Sequence, residues 1–229
     1  MKKAEPGFSA GALGRTLTQR LGATSSLKVA YSGGLDSHVL LHALCQLRAS
    51  AHWVISAIHV DHGLHPESAR WAEHCQQVCE QLGVVCTVER IQVSDTDSLG
   101  TEAAARRLRY ACFAQHIGYQ DALLTAHHLD DQAETVLLQL LRGTGVRGLA
   151  GMPEVTAFSG GKLVRPLLEF TRAELAAYAE SQGLHWVEDV SNRDVSYGRN
   201  FLRHQVLPLL EQRWPQASRL IARAGRHAG

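Results

Sequence analysis

No stretch of this chain approaches the ~20 consecutive apolar residues that a membrane span requires. Met1-Lys2-Lys3 is followed by Glu5, Pro6 and scattered glycines rather than by the apolar run of a secretory leader. Charge of one sign is also lacking. The formal net charge is only +1, which gives no global case for a polyanion partner. Cysteines are few and unpaired in pattern: Cys45, Cys75, Cys79, Cys86 and Cys112 are odd in number and none is spaced C-x-x-C. That excludes a disulfide framework and a zinc-ribbon reading, and fits a reducing, cytoplasmic setting. Cys75 and Cys79 keep step with Trp71, Val78 and Leu82, so they read as core-face residues of a helix. The glycine pair at 33 and 34 lacks the lysine of G-x-x-x-x-G-K-S/T, which excludes the ordinary ATPase loop. It is not G-x-G-x-x-G either, so a dinucleotide fold has little support.

What the chain does have is alternation. Apolar β-like runs at 27–31, 53–60, 84–89 and 122–126 are separated by helical periodicities at 37–48, 67–82 and 102–117, and a fourth helix spans 127–142. A lead-in over 1–26 holds a short helix from Ala12 to Leu21. A glycine-rich loop runs from Gly143 to about Gly161, and Leu163–Leu167 reads as an edge-like strand because Pro166 has no N–H to donate. Thr171 and Glu174 form a capping box for a helix over 172–182. His185–Gly198 reads as a polar loop, and a final helical region begins at Arg199, punctuated by Pro208 and Pro215. The pattern predicts an α/β, doubly wound parallel sheet with a short helical C-terminal extension. In such sheets ligands sit at the carboxyl ends of strands. From Arg193 onward, Arg199, Arg203, Arg213, Arg219, Arg223 and Arg226 face only Asp194 and Glu211, which is either a basic face for nucleic acid or a solvated helical face.

The chemistry-bearing residues fall at those strand ends. Ser32-Gly33-Gly34-Leu35-Asp36-Ser37 follows the first strand and opens a helix, so its backbone amides and two serine hydroxyls can wrap a pyrophosphate. Asp36 cannot touch phosphate without an intervening cation, which implies Mg²⁺. The plainer alternative is a strand-to-helix turn with its cap. His59-Val60-Asp61-His62-Gly63 follows the second strand. In His127-His128-Leu129-Asp130-Asp131-Gln132-Ala133-Glu134, the spacing i, i+3, i+4, i+7 predicts that His127, Asp130, Asp131 and Glu134 share one helical face. Three carboxylates on one stripe call for a cation or a basic partner; a second Mg²⁺ contact is the economical expectation, and complementing the helix dipole is the alternative. Arg142-Gly143-Thr144-Gly145 is either a substrate clamp or a helix stop.

Together these motifs carry a family likeness. The hexamer at 32–37 resembles the PP-loop of the N-type ATP pyrophosphatases. His59–Leu64, Glu102 with Ala105-Arg106, Arg109-Tyr110 and Phe113, the 127–135 stretch, Arg142–Gly145, Arg165–Leu168, Glu188-Asp189 with Ser191-Asn192, and Arg199-Asn200 with Arg203 narrow it. In that order, from about Leu27 to Leu210, the set resembles the catalytic domain of the tRNA(Ile)-lysidine synthase family. The resemblance implies a PP-loop catalytic domain over 27–210. It also implies ATP and Mg²⁺ as cofactors, with L-lysine and the anticodon region of tRNA(Ile) as substrates. In that reaction ATP adenylates C2–O of the wobble cytidine and lysine displaces AMP. Ala30, Ser32, Gly33, Gly34, Leu35, Asp36, Ser37, His59 and Val60 would then hold the nucleotide. Asp36, Asp130 and Asp131 would hold the metal, with His127 and Glu134 completing the catalytic set. Arg106, Arg109, Arg142, Gly143, Thr144, Gly145, Arg199 and Arg203 would meet tRNA or phosphate. Family members usually continue into C-terminal domains that help grip tRNA, so 211–229 is expected to begin a linker. The competing readings are a PP-loop tRNA thiolase and a nucleotide-binding module without turnover. A homodimer stays open, because the sequence does not set the oligomeric state.

Overall fold

A computed structural model of the chain describes residues 7–63, 65–92, 101–188 and 194–229. Leu64, Asp189, Ser191, Asn192 and the Glu102 side chain, all part of the motifs above, lie outside the described residues. The strands are β1 (Ser26–Ala30), β2 (Val54–Asp61), β3 (Val85–Arg90), β4 (Asp121–Leu124), β5 (Val155–Phe158) and β6 (Gly161–Val164). They form one sheet in the order β3-β2-β1-β4-β6-β5. Every pairing is parallel except β5 with β6. The helices are α1 (Ala10–Leu21), α2 (Leu35–Ala51), α3 (Ser68–Gln81), α4 (Thr101–Gln115), α5 (Leu129–Leu141), α6 (Arg172–Ser181), α7 (Gly198–Phe201), α8 (Leu207–Arg213) and α9 (Ala217–Ala228). The alternation of strands and helices thus gives the expected doubly wound α/β sheet.

The sheet separates two cores. On β4, Ala122 and Leu124 belong to the larger cluster with α1, α2, α3 and α6, whereas Leu123 joins Ile58, Val60, Cys112, Phe113 and Leu163 on the α4 side. That is the period-2 alternation of a strand covered on both faces. The lead-in is more than loosely amphipathic: Leu13, Leu17 and Leu21 are buried in the larger core, and Ser9 caps the helix through Ala12 N–H at 3.2 Å. Removing such a leucine from the core would cost about 2–5 kcal/mol.

Three local expectations need correction. Leu163–Leu167 is not an edge strand: β6 lies between β4 and β5, and Pro166 falls beyond its end. The edge is β5, inside what reads as a glycine-rich loop. Val155, Thr156 and Ala157 are exposed, so it carries none of the burial pattern by which strands are recognised. Its hairpin turns on Ser159 at φ 52, and a Cβ on Gly161 would collide with Asp121 O, so only glycine fits there. Second, α2 begins at Leu35, two residues before the expected Ser37. Third, Pro208 does not interrupt the final helical region. It sits in the first turn of α8, where its missing N–H costs nothing. Between α7 and α8, Leu202–Val206 forms a π turn. The last helix, α9, packs on α5.

Candidate active site

After β1 the chain crosses to β2 on one side and, later, to β4 on the other, so strand order reverses between β1 and β4. A crevice at such a switch point is where open α/β sheets bind ligands. The loop after β1 and the loop after β4 meet there.

The first loop is shaped by backbone. Gly33 adopts φ 81, and a Cβ there would lie 2.9 Å from Cys75 Sγ. Gly34 caps α2, leaving the first amides of the helix without intrahelical acceptors. The serine hydroxyls hold the loop itself. Ser37 Oγ accepts from Ser32 N–H at 3.2 Å, lies 3.0 Å from Ser32 Oγ, and donates to Gly34 O at 3.0 Å. Val187 N–H donates to Gly33 O at 3.0 Å, tying a distant segment over the turn. Asp36 stands in the first turn of α2. Its Oδ1 is buried and has no hydrogen-bond partner among the described residues, while Oδ2 lies 3.7 Å from His128 Nε2. Burial pushes the Asp36 carboxyl above its ordinary value, and His128 only partly offsets this. An unpartnered buried carboxylate oxygen beside a ring of amides fits a hard cation such as Mg²⁺.

The second loop is shaped by side chains. His128 caps α5, and its backbone N–H donates to Asp131 Oδ2 at 3.0 Å. Its buried imidazole lies 3.3 Å from Asp130 Oδ2 and 3.4 Å from Asp131 Oδ2. Burial alone would keep this ring neutral; Asp131, Asp130 and Asp36 together raise it to about 9, so it is an imidazolium at neutral pH. Asp130 turns toward α6, accepting Arg172 N–H at 2.8 Å. Asp131 and Glu134 turn the other way. Arg203, on the π turn, donates to Asp131 Oδ1 at 2.8 Å and to Glu134 Oε1 and Oε2 at 2.7 and 3.0 Å. Arg199 lies 3.8 Å from both acids and donates to Thr135 Oγ1 at 3.0 Å. Burial opposes ionisation of Asp131, but His128, His127 and Arg203 hold it down to about 2. For Glu134, fully buried, burial outweighs Arg203 and the carboxyl is raised. The expected need for a cation is therefore met largely from within: four carboxylates face His128, Arg199 and Arg203. Asp36 is the acid most weakly held: Oδ2 has only His128, at 3.7 Å, and Oδ1 has no hydrogen-bond partner among the described residues.

His127 does not share the helical face of the three acids, because α5 begins two residues later. It precedes the helix with Nδ1 2.9 Å from Thr125 Oγ1. Burial, and then Arg165, Arg106 and Arg199 acting against Asp131, lower it to about 4, so it is neutral at pH 7. The guanidinium of Arg106 lies 5.1 Å from the Tyr110 ring, and Arg109 neighbours His62. Ala30 and Val60 lie on the α4 face of the sheet. His59 points to the opposite face, with Nδ1 3.0 Å from Tyr31 O and 3.3 Å from Cys75 Sγ, bracing the loop from behind. Arg142, Gly143, Thr144 and Gly145 are at the far end of α5, roughly 20 Å along the helix from its acidic turn. Gly143, at φ 70, ends that helix.

Two residues were not singled out from the sequence. His128 was legible as the residue before a pair of aspartates at a helix start. Arg165, buried with its guanidinium donating to Pro153 O at 2.6 Å, was legible as the one cation in the apolar run 163–168.

Known proteins bear on this arrangement. The model of a PP-loop domain matches residues 12–210. The chain is 53% identical over 204 residues to the tRNA(Ile)-lysidine synthase of Alkalilimnicola ehrlichii, covering 89% of this chain and 46% of that one. With the enzyme of the same name from Pseudomonas fluorescens it shares 53% over 214 residues, 93% of this chain and 48% of the other. With that of Escherichia coli O157:H7 it shares 50% over 210 residues, 91% and 48%. The chain thus spans about half the length of these curated relatives. Among solved structures, a U34-tRNA thiolase from Methanococcus maripaludis superposes with TM-score 0.73 at 18% identity, covering 99% of this chain and 86% of that one. The NMN synthetase of Francisella tularensis superposes with TM-score 0.55 at 12% identity, covering 96% of each. These two likenesses speak for the fold. The loop at the β1–β4 switch point, the match over 12–210 and the shared fold agree: the chain belongs to the PP-loop domain family.

Proposed function

We propose that this chain carries the catalytic centre for ATP-dependent ligation of L-lysine to C2 of the wobble cytidine of tRNA(Ile), through an adenylated tRNA intermediate. The observation that carries the reading is the meeting of Asp36, on the first turn of α2, with the acidic start of α5 across the switch point. The names of relatives about half identical to this chain supply the substrate class.

The cytidine C2 oxygen attacks the α-phosphorus of ATP, and pyrophosphate leaves into the amides of Gly33–Ser37. Preorganised donors of this kind stabilise charge that develops on a leaving group. Mg²⁺ held by Asp36, with Asp130 or Asp131 nearby, would neutralise phosphate charge. The ammonium of free lysine is drawn by the acidic start of α5 and Asp36 taken together, where four carboxylates face three cations. An unshifted lysine amine is mostly protonated at neutral pH, so it must lose a proton to react. That first proton goes to solvent before attack; the neutral ring of His127 takes a second proton from the nitrogen once it has bonded to C2 and become acidic, and AMP departs. Exposed Arg106 and half-buried Arg109 would meet RNA phosphates, whereas buried Arg165 is engaged by Pro153 O. Arg199 and Arg203 act mainly by holding Asp131 and Glu134 in place.

The thiolase reading finds less support. Cys75 and Cys79 are buried in the larger core and Cys112 in the smaller one, with Cys45 and Cys86 packed beside the larger. Incubation of the chain with ATP, Mg²⁺, L-lysine and tRNA(Ile) bearing a CAU anticodon tests the proposal. AMP release that depends on both lysine and this tRNA, with a lysine-sized mass gain on one cytidine, is expected. ATP binding without AMP release would favour a non-catalytic nucleotide module.

A further inference from the structure

Away from the crevice, on the α4 side of the sheet, Glu89, Cys112 and His116 converge. One donor atom of each lies within 4.8 Å of the other two, and this is the one such group of three among the described residues. Glu89 projects from β3. Cys112 lies in the last turn of α4 and His116 follows its end, where the closing turn bonds His116 N–H to Phe113 O. Glu89 Oε1 and His116 Nε2 are 2.9 Å apart. Cys112 is buried and forms the floor, while Glu89 and His116 are half-buried and leave an approach from solvent. The end of the helix is already anchored: Lys28 Nζ donates to His116 O and lies 2.9 Å from Asp121 Oδ2.

The plain alternative is a Glu–His ion pair beside a core thiol. The thiol's position argues against that. A reactive-thiolate role is excluded, since burial and the adjoining Glu89 push the Cys112 thiol up. Its sulfur instead stands among an imidazole and a carboxylate at coordination range. A set of one sulfur, one nitrogen and one oxygen donor does not suit Mg²⁺, which takes oxygen ligands. It suits zinc, with three protein ligands and a fourth position for water.

We propose that Glu89, Cys112 and His116 form a site for a borderline divalent transition metal, zinc first, which ties the end of α4 to β3. Metal–donor bonds of about 2.0–2.3 Å place tetrahedral ligands roughly 3.3–3.7 Å apart, so the cluster needs only small side-chain adjustments. On binding, three coordinate bonds form and the Glu89–His116 hydrogen bond breaks. The Cys112 proton goes to solvent, and the imidazole hydrogen resides on Nδ1. The consequence is mechanical. The same helix presents Arg106 and Arg109 toward the crevice, and fixing its other end stabilises their platform.

The test uses the untagged chain after chelator treatment, titrated with Co²⁺ and then Zn²⁺. One equivalent of Co²⁺ should produce a sulfur-to-cobalt charge-transfer band in the near ultraviolet with visible d–d bands, both bleached by Zn²⁺. Saturating Zn²⁺ should raise the thermal midpoint by several degrees. Cys112→Ser should lose the charge-transfer band, and His116→Gln and Glu89→Gln should each weaken Co²⁺ binding at least about tenfold. These two half-buried positions keep the question answerable if the serine variant does not fold. Absence of the bands in the wild-type chain would overturn the proposal. So would their persistence in Cys112→Ser, which would place the metal on other cysteines, or unchanged affinity in both glutamine variants.

Discussion

The two loops that meet at the switch point are built by different means. The loop after β1 is made of backbone: Gly33 at a positive φ, amides at the start of α2, and two serine hydroxyls within five residues of each other. The loop after β4 is made of side chains whose partners come from far along the chain. Asp130 is met by Arg172, and Asp131 and Glu134 by Arg203. A local device tolerates change elsewhere in the protein, whereas a long-range charge cluster fails if any one partner is withdrawn. The first loop presents free helix amides, and the second sets charge.

The largest effect expected from breaking this contrast is at Arg203. Arg203→Ala strands the fully buried Glu134 and its neighbour Asp131, and should cost about 3–5 kcal/mol in denaturant unfolding. Asp36→Asn should behave in the opposite way. It removes a carboxylate with an unpartnered oxygen, so stability should change by less than about 1 kcal/mol. AMP formation should nonetheless fall at least about 100-fold. Gly33→Ala lies between these. The positive φ and the 2.9 Å approach to Cys75 Sγ predict a loss of about 1–3 kcal/mol, with weakened nucleotide binding.

The charge cluster also predicts a pH profile. Asp131 is held below its ordinary 3.8, at about 2, so its contribution is present above 3.8 and lost as pH falls toward 2. His127, lowered to about 4, removes further stability as pH falls from 6.5 toward 4. His128 is raised from 6.5 to about 9, so its contribution is present below 6.5 and lost as pH rises to about 9. Urea midpoints between pH 6 and 9.5 should therefore decline in the wild type and decline less in His128→Gln. The smallest effect is expected at Arg142. Exposed at the far end of α5, Arg142→Ala should alter stability by less than about 0.5 kcal/mol. A large fall in tRNA-dependent AMP release by this variant would extend the RNA footprint to that end of the helix.

The same contrast explains what could be read from the sequence. Alternating apolar periods exposed the parallel sheet, and Ser32–Ser37 announced a tight strand-to-helix turn, because both are properties of neighbouring residues. The edge strand Val155–Phe158 was hidden because most of its residues are exposed and its pairing with β6 comes through a hairpin. The role of Arg203 was hidden because a sequence does not state that a residue 69 positions beyond Glu134 will pair with it. The acidic stripe at 130–134 implied a counter-charge without naming it. Much of that charge comes from His128, Arg199 and Arg203. His127 was misplaced onto the helical face because a residue just ahead of the cap and a first-turn residue look alike in a periodic pattern.

The most direct measurement is lysine- and tRNA(Ile)-dependent AMP release by the wild type and Asp36→Asn at ATP concentrations that saturate each. If Asp36 and the acidic start of α5 form one adenylating centre, the variant stays folded, still binds ATP and makes AMP at least about 100-fold more slowly. Wild-type AMP release by folded Asp36→Asn would contradict that account.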